Sequence, residues 1–453
     1  MRKWLWCVLL LSALPGLRGV CHGAGFKVSE QGAKAMGMGN AFAAQADDPS
    51  ALYFNPAGIA FLPGIQVNLG ALGIMVPQTE FQGTTPLSGT PPLDTGTAVV
   101  TERSRRDVVI APNFYASYTL EGLPLSFGLG INAIFPLSKS WDDSSVFRNQ
   151  VQIASIKPIN FQPTVAYRFD ALNLGVAAGI DITYAQVSLQ RSLYSPAVTP
   201  TAPAPPFGAY ELGSLGLDGT ATDLGYNLGF LWKPRRALSF GLAYRSKITL
   251  DIRGEANLLA TTPTGLGAIG LADSALFPYT RARASSDAST SITLPDTLDL
   301  AVAWRPTERL TLEFDATRTG WSSFERLEFH FDSPEFASFN HQPELRNWRD
   351  VWSYKFGGQY EVNPRLALRA GYSFDDSPVP DHTVDPLLPD ADRHSFSVGA
   401  GIANTLGTLD LAYMWVHFVD RTVHNQDMAT LRGANGVFRS DAYLLAANLN
   451  LKF

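Results

Sequence analysis

The sequence predicts an all-β chain: a 14-stranded antiparallel transmembrane β-barrel plugged by an N-terminal hatch. Three observations lead there. Fourteen segments of apolar and polar alternation begin near residues 65, 108, 124, 156, 172, 223, 237, 292, 310, 350, 366, 394, 408 and 443, each about long enough to cross a bilayer as a tilted strand. The connections between them alternate strictly between short and long. Ahead of the first segment stand about 40 residues of small, turn-forming sequence, too few to fold alone.

Residues 1–23 read as a signal peptide. Arg2 and Lys3 precede an apolar run over residues 4–14, shorter than the ~20 residues that a spanning helix needs. Pro15 and Gly16 end the run, and small residues at Cys21 and Gly23 suit cleavage before Ala24. Both cysteines, Cys7 and Cys21, leave with this segment. A mature chain without a thiol has no disulfide framework, no Cys-ligated zinc and no Cys nucleophile. The net charge of −6 comes without a basic patch, which argues against nucleic acid as a partner. No 18-residue apolar run follows the signal, so no transmembrane helix is expected. No linker divides the chain either, SPAVTPTAPAPP at 195–206 being a local loop.

Residues 64–453 carry the barrel. In ALNLGVAAGIDITYAQ, Leu174, Val176, Ile180, Ile182 and Tyr184 fall on one face, with Asn173, Asp181 and Thr183 on the other. Leu224, Tyr226, Leu228, Phe230 and Trp232 repeat the pattern, and so, on this reading, does one stripe from Leu238 to Ile252 opposite Arg245, Lys247 and Asp251. Short turns follow the even-numbered strands: LEGL at 120–123, DA at 170–171, PRR at 234–236, PTER at 306–309, NPR at 363–365 and NTLG at 404–407. Long loops, among them 77–107, 190–221, 253–290 and 418–441, follow the odd ones. A soluble β-sandwich shares the residue period but has no reason to put every long loop at one end. An outer-membrane barrel does, and its closure leaves no sheet edge in lipid. Both termini then lie on the periplasmic side. In YLLAANLNLKF the stripe Tyr443, Leu445, Ala447, Leu449, Leu451 and Phe453 faces lipid and lipopolysaccharide, and its terminal aromatic resembles the signal read by the barrel-assembly machinery.

Residues 24–63 are expected to form the hatch. Fourteen strands enclose a lumen wider than side chains fill, and inside it a short segment borrows the wall as its second layer. Gly32, Gly37 and Gly39 permit close backbone approach, and in NPAG at 55–58 Pro56 holds Asn55 extended so that its side chain bonds nearby backbone.

The stretch AGFKVSEQGAKAMGMGNAFAAQADDPSALYFNPAG at 24–58 resembles the N-terminal hatch of the FadL/TodX family of outer-membrane transporters for hydrophobic compounds. WSSF at 321–324, RAGYSFDDSPVP at 369–380 and PDADR at 389–393 resemble its later landmarks, in the family's order. The resemblance implies a passive channel in the outer membrane of a Gram-negative bacterium, without cofactor or metal, for long-chain fatty acids or, in other branches, aromatic hydrocarbons. It implies that Ala24, Gly25 and Phe26 lie near the ligand pocket, with Phe26 packing on the ligand and moving to release it. Asn55, Pro56 and Ala57 would hold the hatch toward strand three, where Gly128, Gly130 and Pro136 weaken pairing beside a lateral opening. TYAQVSLQR, ending strand five, resembles the family stretch that supplies a basic residue to the pocket, which makes Arg191 the first candidate cation for a carboxylate. Where some members carry a second lysine, before strand ten, this chain has HQPELRNW with Glu344 and Arg346, which leaves room for an uncharged substrate. Inward Glu313, Asp315, Lys355 and Arg369 are expected to form wall salt bridges.

Other classes fit less well. Past the signal, His330, His341, His382, His394, His417 and His424 show no Ser/His/Asp spacing, which argues against an outer-membrane hydrolase. A diffusion porin needs no plug, and a siderophore-type transporter has a far larger one.

Overall fold

The structure, a computed structural model, describes residues 25–76, 78–88, 98–195, 210–261, 281–427 and 430–453. Ala24 and the expected signal peptide lie outside the described residues. Fourteen antiparallel strands form the wall: β1 Ile65–Val76, β2 Asp107–Thr119, β3 in two pieces Leu125–Asn132 and Leu137–Ser140, β4 Ile153–Phe169, β5 Leu174–Ser195 and β6 Tyr210–Arg235. They continue as β7 in pieces Leu238–Arg245 and Ile248–Thr261, β8 in pieces Arg281–Leu294 and Thr297–Thr307, and β9 Leu310–Thr319. The last five are β10 Val351–Asn363, β11 Leu366–Asp375, β12 Arg393–Ala403, β13 Gly407–Phe418 and β14 Asp441–Lys452. The wall closes where β1 meets β14 in unbroken register from Gln66↔Lys452 to Met75↔Tyr443.

The period-two pattern builds this wall. Outward Ile180, Leu224, Tyr226, Leu228 and Trp232 are exposed, as lipid-facing residues must be, while inward Asn160, Asp181 and Thr183 are buried and hydrogen-bonded among themselves. Inside, Arg245 pairs with Asp181, and Arg369 with Asp410 at 2.7 Å.

Two expectations need correction. The connections 190–221 and 253–290 are largely strand, because β5 and β6 stay paired up to Ser195↔Tyr210 and β7 and β8 up to Thr261↔Arg281. Their upper outward faces are polar, as in Ser214, Gly216, Asp218 and Thr220, so the lipid-type alternation that marks a strand in sequence is missing there. The stripe drawn from Leu238 to Ile252 also does not stay on one face. Phe240 and Leu242 are exposed to lipid, but Ile248, Leu250 and Ile252 are buried in the lumen. Between Arg245↔Asn227 and Arg253↔Thr220 the ladder with β6 slips by one residue, and such a slip reverses every side chain beyond it. β8 reverses at the same height, across Pro295, so that Ile292 and Leu294 also turn inward.

Hatch residues 25–63 lie in the bore, built on single helical turns at Ala33–Met36 and Ala51–Phe54 and a 3-10 turn at Pro56–Phe61. Met36, Met38, Phe42, Leu52 and Ile59 are fully buried, each gaining ~1.5–3 kcal/mol from burial. At Gly39, in the left-handed region with φ +64, a Cβ would stand 2.7 Å from the Tyr372 nitrogen, so the backbones of hatch and wall touch directly. Among the described residues, Glu313 and Asp315 form none of the expected wall salt bridges. Glu313 accepts from the Ala44 and Gln45 amides at 2.6 and 3.0 Å, and Asp315 from Phe42 and Ala43 at 2.9 and 3.1 Å. The hatch backbone supplies the positive partners that these carboxylates require. Lys355 donates to Thr317 at 2.9 Å and lies 3.8 Å from Asp299.

Candidate functional site

The inverted pieces of β7 and β8 create an apolar slot toward the extracellular side. Ile252 and Ile292 meet Ile156, Val187, Leu189 and Leu217 around about 900 Å³ of atom-free space. The hatch closes it with Phe26, whose ring centroid lies 4.7 Å from Trp321, 5.9 Å from Trp348, 6.1 Å from Phe135 and 6.3 Å from Phe324. These are aromatic pairings of ordinary range. Gly25 makes the seat possible: its φ is +64, and a Cβ there would stand 2.8 Å from the Trp321 ring.

The cation on the slot lining is Arg346, not Arg191. Arg346 is 5% exposed, donates to Asp385 and reaches Glu344 at 3.0 Å. Arg191 stands behind it, 3.0 Å from Glu344, and Arg432 joins at 2.6 Å. Burial alone would raise the Glu344 carboxyl, but Arg191, Arg432 and Arg346 outweigh it and hold it down at about 2. Three guanidiniums thus share two carboxylates.

On the other side of Phe26 lies a chamber of about 2360 Å³ of atom-free space. Phe26, Leu137, Ile156 and Leu388 line both spaces and form the partition between them. The chamber is lined mostly by apolar side chains as well, but it is more polar than the slot: Lys27, Glu30, Asn40, Lys355, Asp375 and Arg393 face it. It also reaches Val108 and Ile110, which are 65% and 71% exposed on the lipid side, so it passes through the wall.

The passage is a window between β2 and β3. Their ladder ends at Phe114↔Ile131, whereas β2 stays paired to β1 as far as Asp107. Residues 133–136 leave the sheet, Ile134 and Phe135 turn inward to full burial, and pairing resumes only toward β4 at Leu137↔Ile156. Phe135 takes φ 54, a costly conformation for a bulky residue, and its ring meets Phe26. Above, the Arg105 amide donates to Ser140 at 2.8 Å and closes the frame. Pro112, Pro136 and Pro158 rim the opening, and a proline has no N–H to leave unpaired there.

Of the residues singled out in the sequence, Gly25 and Phe26 lie at the partition and Pro136 on the window. Gly128 and Gly130 sit in unbroken ladders, opposite Ser117 and Tyr115 on one side and Thr164 and Gln162 on the other. A Cβ at Gly128 would stand 2.5 Å from Leu52, so this glycine makes room for the hatch and leaves pairing intact. Asn55 donates to Ala43 and Phe230 carbonyls at 2.7 and 3.0 Å and accepts from the Ala57 amide at 3.2 Å. That trio, with Pro56 and Ala57, faces Gly175 and Gly229 on β5 and β6, not β3. Sequence reasoning missed Pro112 and Pro158 at the window, although a proline inside a lipid-crossing strand is itself a signal, and it missed Trp348 as a slot wall. Among the described residues no group of three or more His, Cys, Asp or Glu is arranged to hold a metal ion.

The family model described as "Outer membrane protein transport protein (OMPP1/FadL/TodX)" matches residues 18–453. Outer membrane protein P1 of Haemophilus influenzae is 26% identical over 487 residues, covering 98% of each chain. The long-chain fatty acid transport protein of Escherichia coli K12 is 23% identical over 420 residues, covering 87% of this chain and 88% of that one. Among solved structures, a Pseudomonas aeruginosa FadL homologue superposes with a TM-score of 0.81 at 23% identity, covering 95% of this chain and all 100% of the other. The Pseudomonas putida toluene transporter TodX gives 0.65 at 17% identity, covering 96% and 99%. These two likenesses speak for the barrel with its inner hatch.

Proposed function

The chain belongs to the OMPP1/FadL/TodX family of outer-membrane transport proteins for hydrophobic compounds, and we propose that its cargo is long-chain fatty acids. The acyl tail enters the slot from outside, displaces Phe26, passes into the chamber and leaves sideways through the window into the membrane. The observation that carries this reading is that one hatch side chain, with the wall residues Leu137 and Ile156 and the loop residue Leu388, separates an apolar slot from a space that opens through the wall. Each buried CH₂ contributes ~0.8 kcal/mol, so a long tail gains on the order of 10 kcal/mol gross, enough to offset the loss of Phe26 packing. Arg346, backed by Arg191 and Arg432 around Glu344, supplies charge for the carboxylate. No step of this passage makes or breaks a covalent bond, so the reading is of a channel and not an enzyme. The outward apolar strands would contact lipid and lipopolysaccharide, and the exposed Phe453 would be read during barrel assembly.

A second reading, aromatic hydrocarbons by the same route, is favoured by one observation: Arg346 is already bound to Asp385 and Glu344. The test is to extract the purified protein, identify co-purified hydrophobic molecules by mass spectrometry, and compete them with oleate and with toluene. Displacement by oleate is the expected result. Displacement by toluene alone would favour hydrocarbons, and displacement by neither would end the transport reading.

A further inference from the structure

The chamber contains a cation that the mechanism above does not use. Lys27 directly follows Phe26 and lines both the chamber and an adjoining void of about 430 Å³. Among the described residues no hydrogen bond or ion pair reaches its ammonium. The other inward cations of the chamber are engaged: Arg393 lies 3.9 Å from Asp375, and Lys355 is held by Thr317 and Asp299. Burial pushes the Lys27 ammonium down to about 8, against the pull of Asp299, so it gains from any anion brought beside it.

A second lysine marks the far end. Lys157 lines the same chamber but stands on the outer face of β4, exposed, two residues from outward Ile159. A lysine facing lipid is strongly disfavoured at mid-membrane and costs little near the interface, which puts this rim of the window at headgroup height.

We propose that the chamber is itself a binding site for the carboxylate head of an amphiphile in transit, received by Lys27 and handed to Lys157 at the outer rim. The inference rests on the transport reading above and sharpens its substrate class. An ionised head that leaves the arginine cluster meets Phe26, Leu137, Ile156 and Leu388, where an unpaired carboxylate is strongly disfavoured. A cation immediately beyond the partition removes that barrier. A neutral hydrocarbon gains nothing from either lysine, so the pair discriminates by charge where the slot discriminates by shape and area.

The experiment measures initial uptake of oleate and of toluene in cells that lack other such channels and carry the full chain, Lys27→Met, Lys27→Arg or Lys157→Gln. Oleate binding to each purified protein is measured alongside. Loss of one charge-assisted bond predicts that Lys27→Met slows oleate uptake about tenfold, while oleate binding and toluene uptake change less than about twofold. Lys27→Arg restores oleate uptake, and Lys157→Gln lowers it more mildly. If wild type binds and carries oleate but Lys27→Met does so equally well, the inference fails and the transport reading stands. If Lys27→Met slows oleate and toluene alike, Lys27 is merely structural and the inference fails. If wild type neither binds nor carries oleate, the fatty-acid reading fails and takes the inference with it.

Discussion

The two spaces on either side of Phe26 differ in how much charge their walls carry. The slot is walled mainly by aliphatic and aromatic side chains, and its lining cation, Arg346, is locked in the cluster around Glu344. The chamber is also largely apolar, but Lys27, Glu30, Lys355, Asp375 and Arg393 stand on its wall, and among the described residues the Lys27 ammonium has no hydrogen-bond or ion-pair partner. Apolar area holds a ligand firmly and without direction, whereas point charges hold only one end of it. A capture site and an exit path therefore ask for different walls, and one hatch residue together with Leu137, Ile156 and Leu388 keeps them apart. The wall achieves this economically in sequence: one slipped residue in β7 and a proline break in β8 turn apolar residues from lipid into the slot.

The comparison breaks most severely if the partition is removed. Trp321 is fully buried and is the nearest ring to Phe26. Trp321→Ala should cost roughly 3–5 kcal/mol of local packing, merging the two spaces. Hydrogen exchange at residues 25–29 should then accelerate by about a hundredfold or more, and unchanged exchange would show that Phe26 is held by other contacts. A smaller effect is expected from loosening the hatch away from the partition. Asn55→Ala removes three hydrogen bonds and should speed exchange at Ala57 and Gly58 by roughly ten- to a hundredfold, with reduced uptake and barrel assembly intact. Uptake that stays at the wild-type level would remove Asn55 from the gating role.

The smallest effect is a matter of pH. Lys27, lowered by burial, is drawn up by Asp299 and Asp375 and pushed further down by Lys355 and Arg245, to about 8. Below that value it carries its proton and attracts a carboxylate; above it the charge is lost. The ratio of oleate uptake by wild type to that by Lys27→Met should therefore fall toward one between pH 7 and 9, a change of a few-fold. The ratio cancels the titration of the other groups. A ratio that stays flat across this range would mean that Lys27 contributes no charge to transit.

The barrel was legible because lipid imposes alternation on every crossing strand, and strand starts such as Ile65, Leu310 and Leu366 follow directly from it. Where β6 and β8 rise above the membrane, that constraint lapses and their first residues, Tyr210 and Arg281, carry no such mark. The face reversal at residues 246–247 was hidden because an apolar stripe looks the same whether it meets lipid or a slot. Phe26 could be placed through the hatch motif, but not the choice between Arg191 and Arg346. Both lie in the same ion cluster, and only three-dimensional packing decides which one looks into the cavity.

The frame between β2 and β3 has a consequence for how the molecule rides in its bilayer. Over residues 107–113 the backbone groups of β2 that point away from β1 have no strand to meet. Surrounded by hydrocarbon, each such group would cost several kcal/mol. Water or lipid headgroups at the outer surface relieve that cost, so drift that would carry the notch into hydrocarbon is resisted. The notch acts as a waterline, fixing the depth at which the cylinder floats.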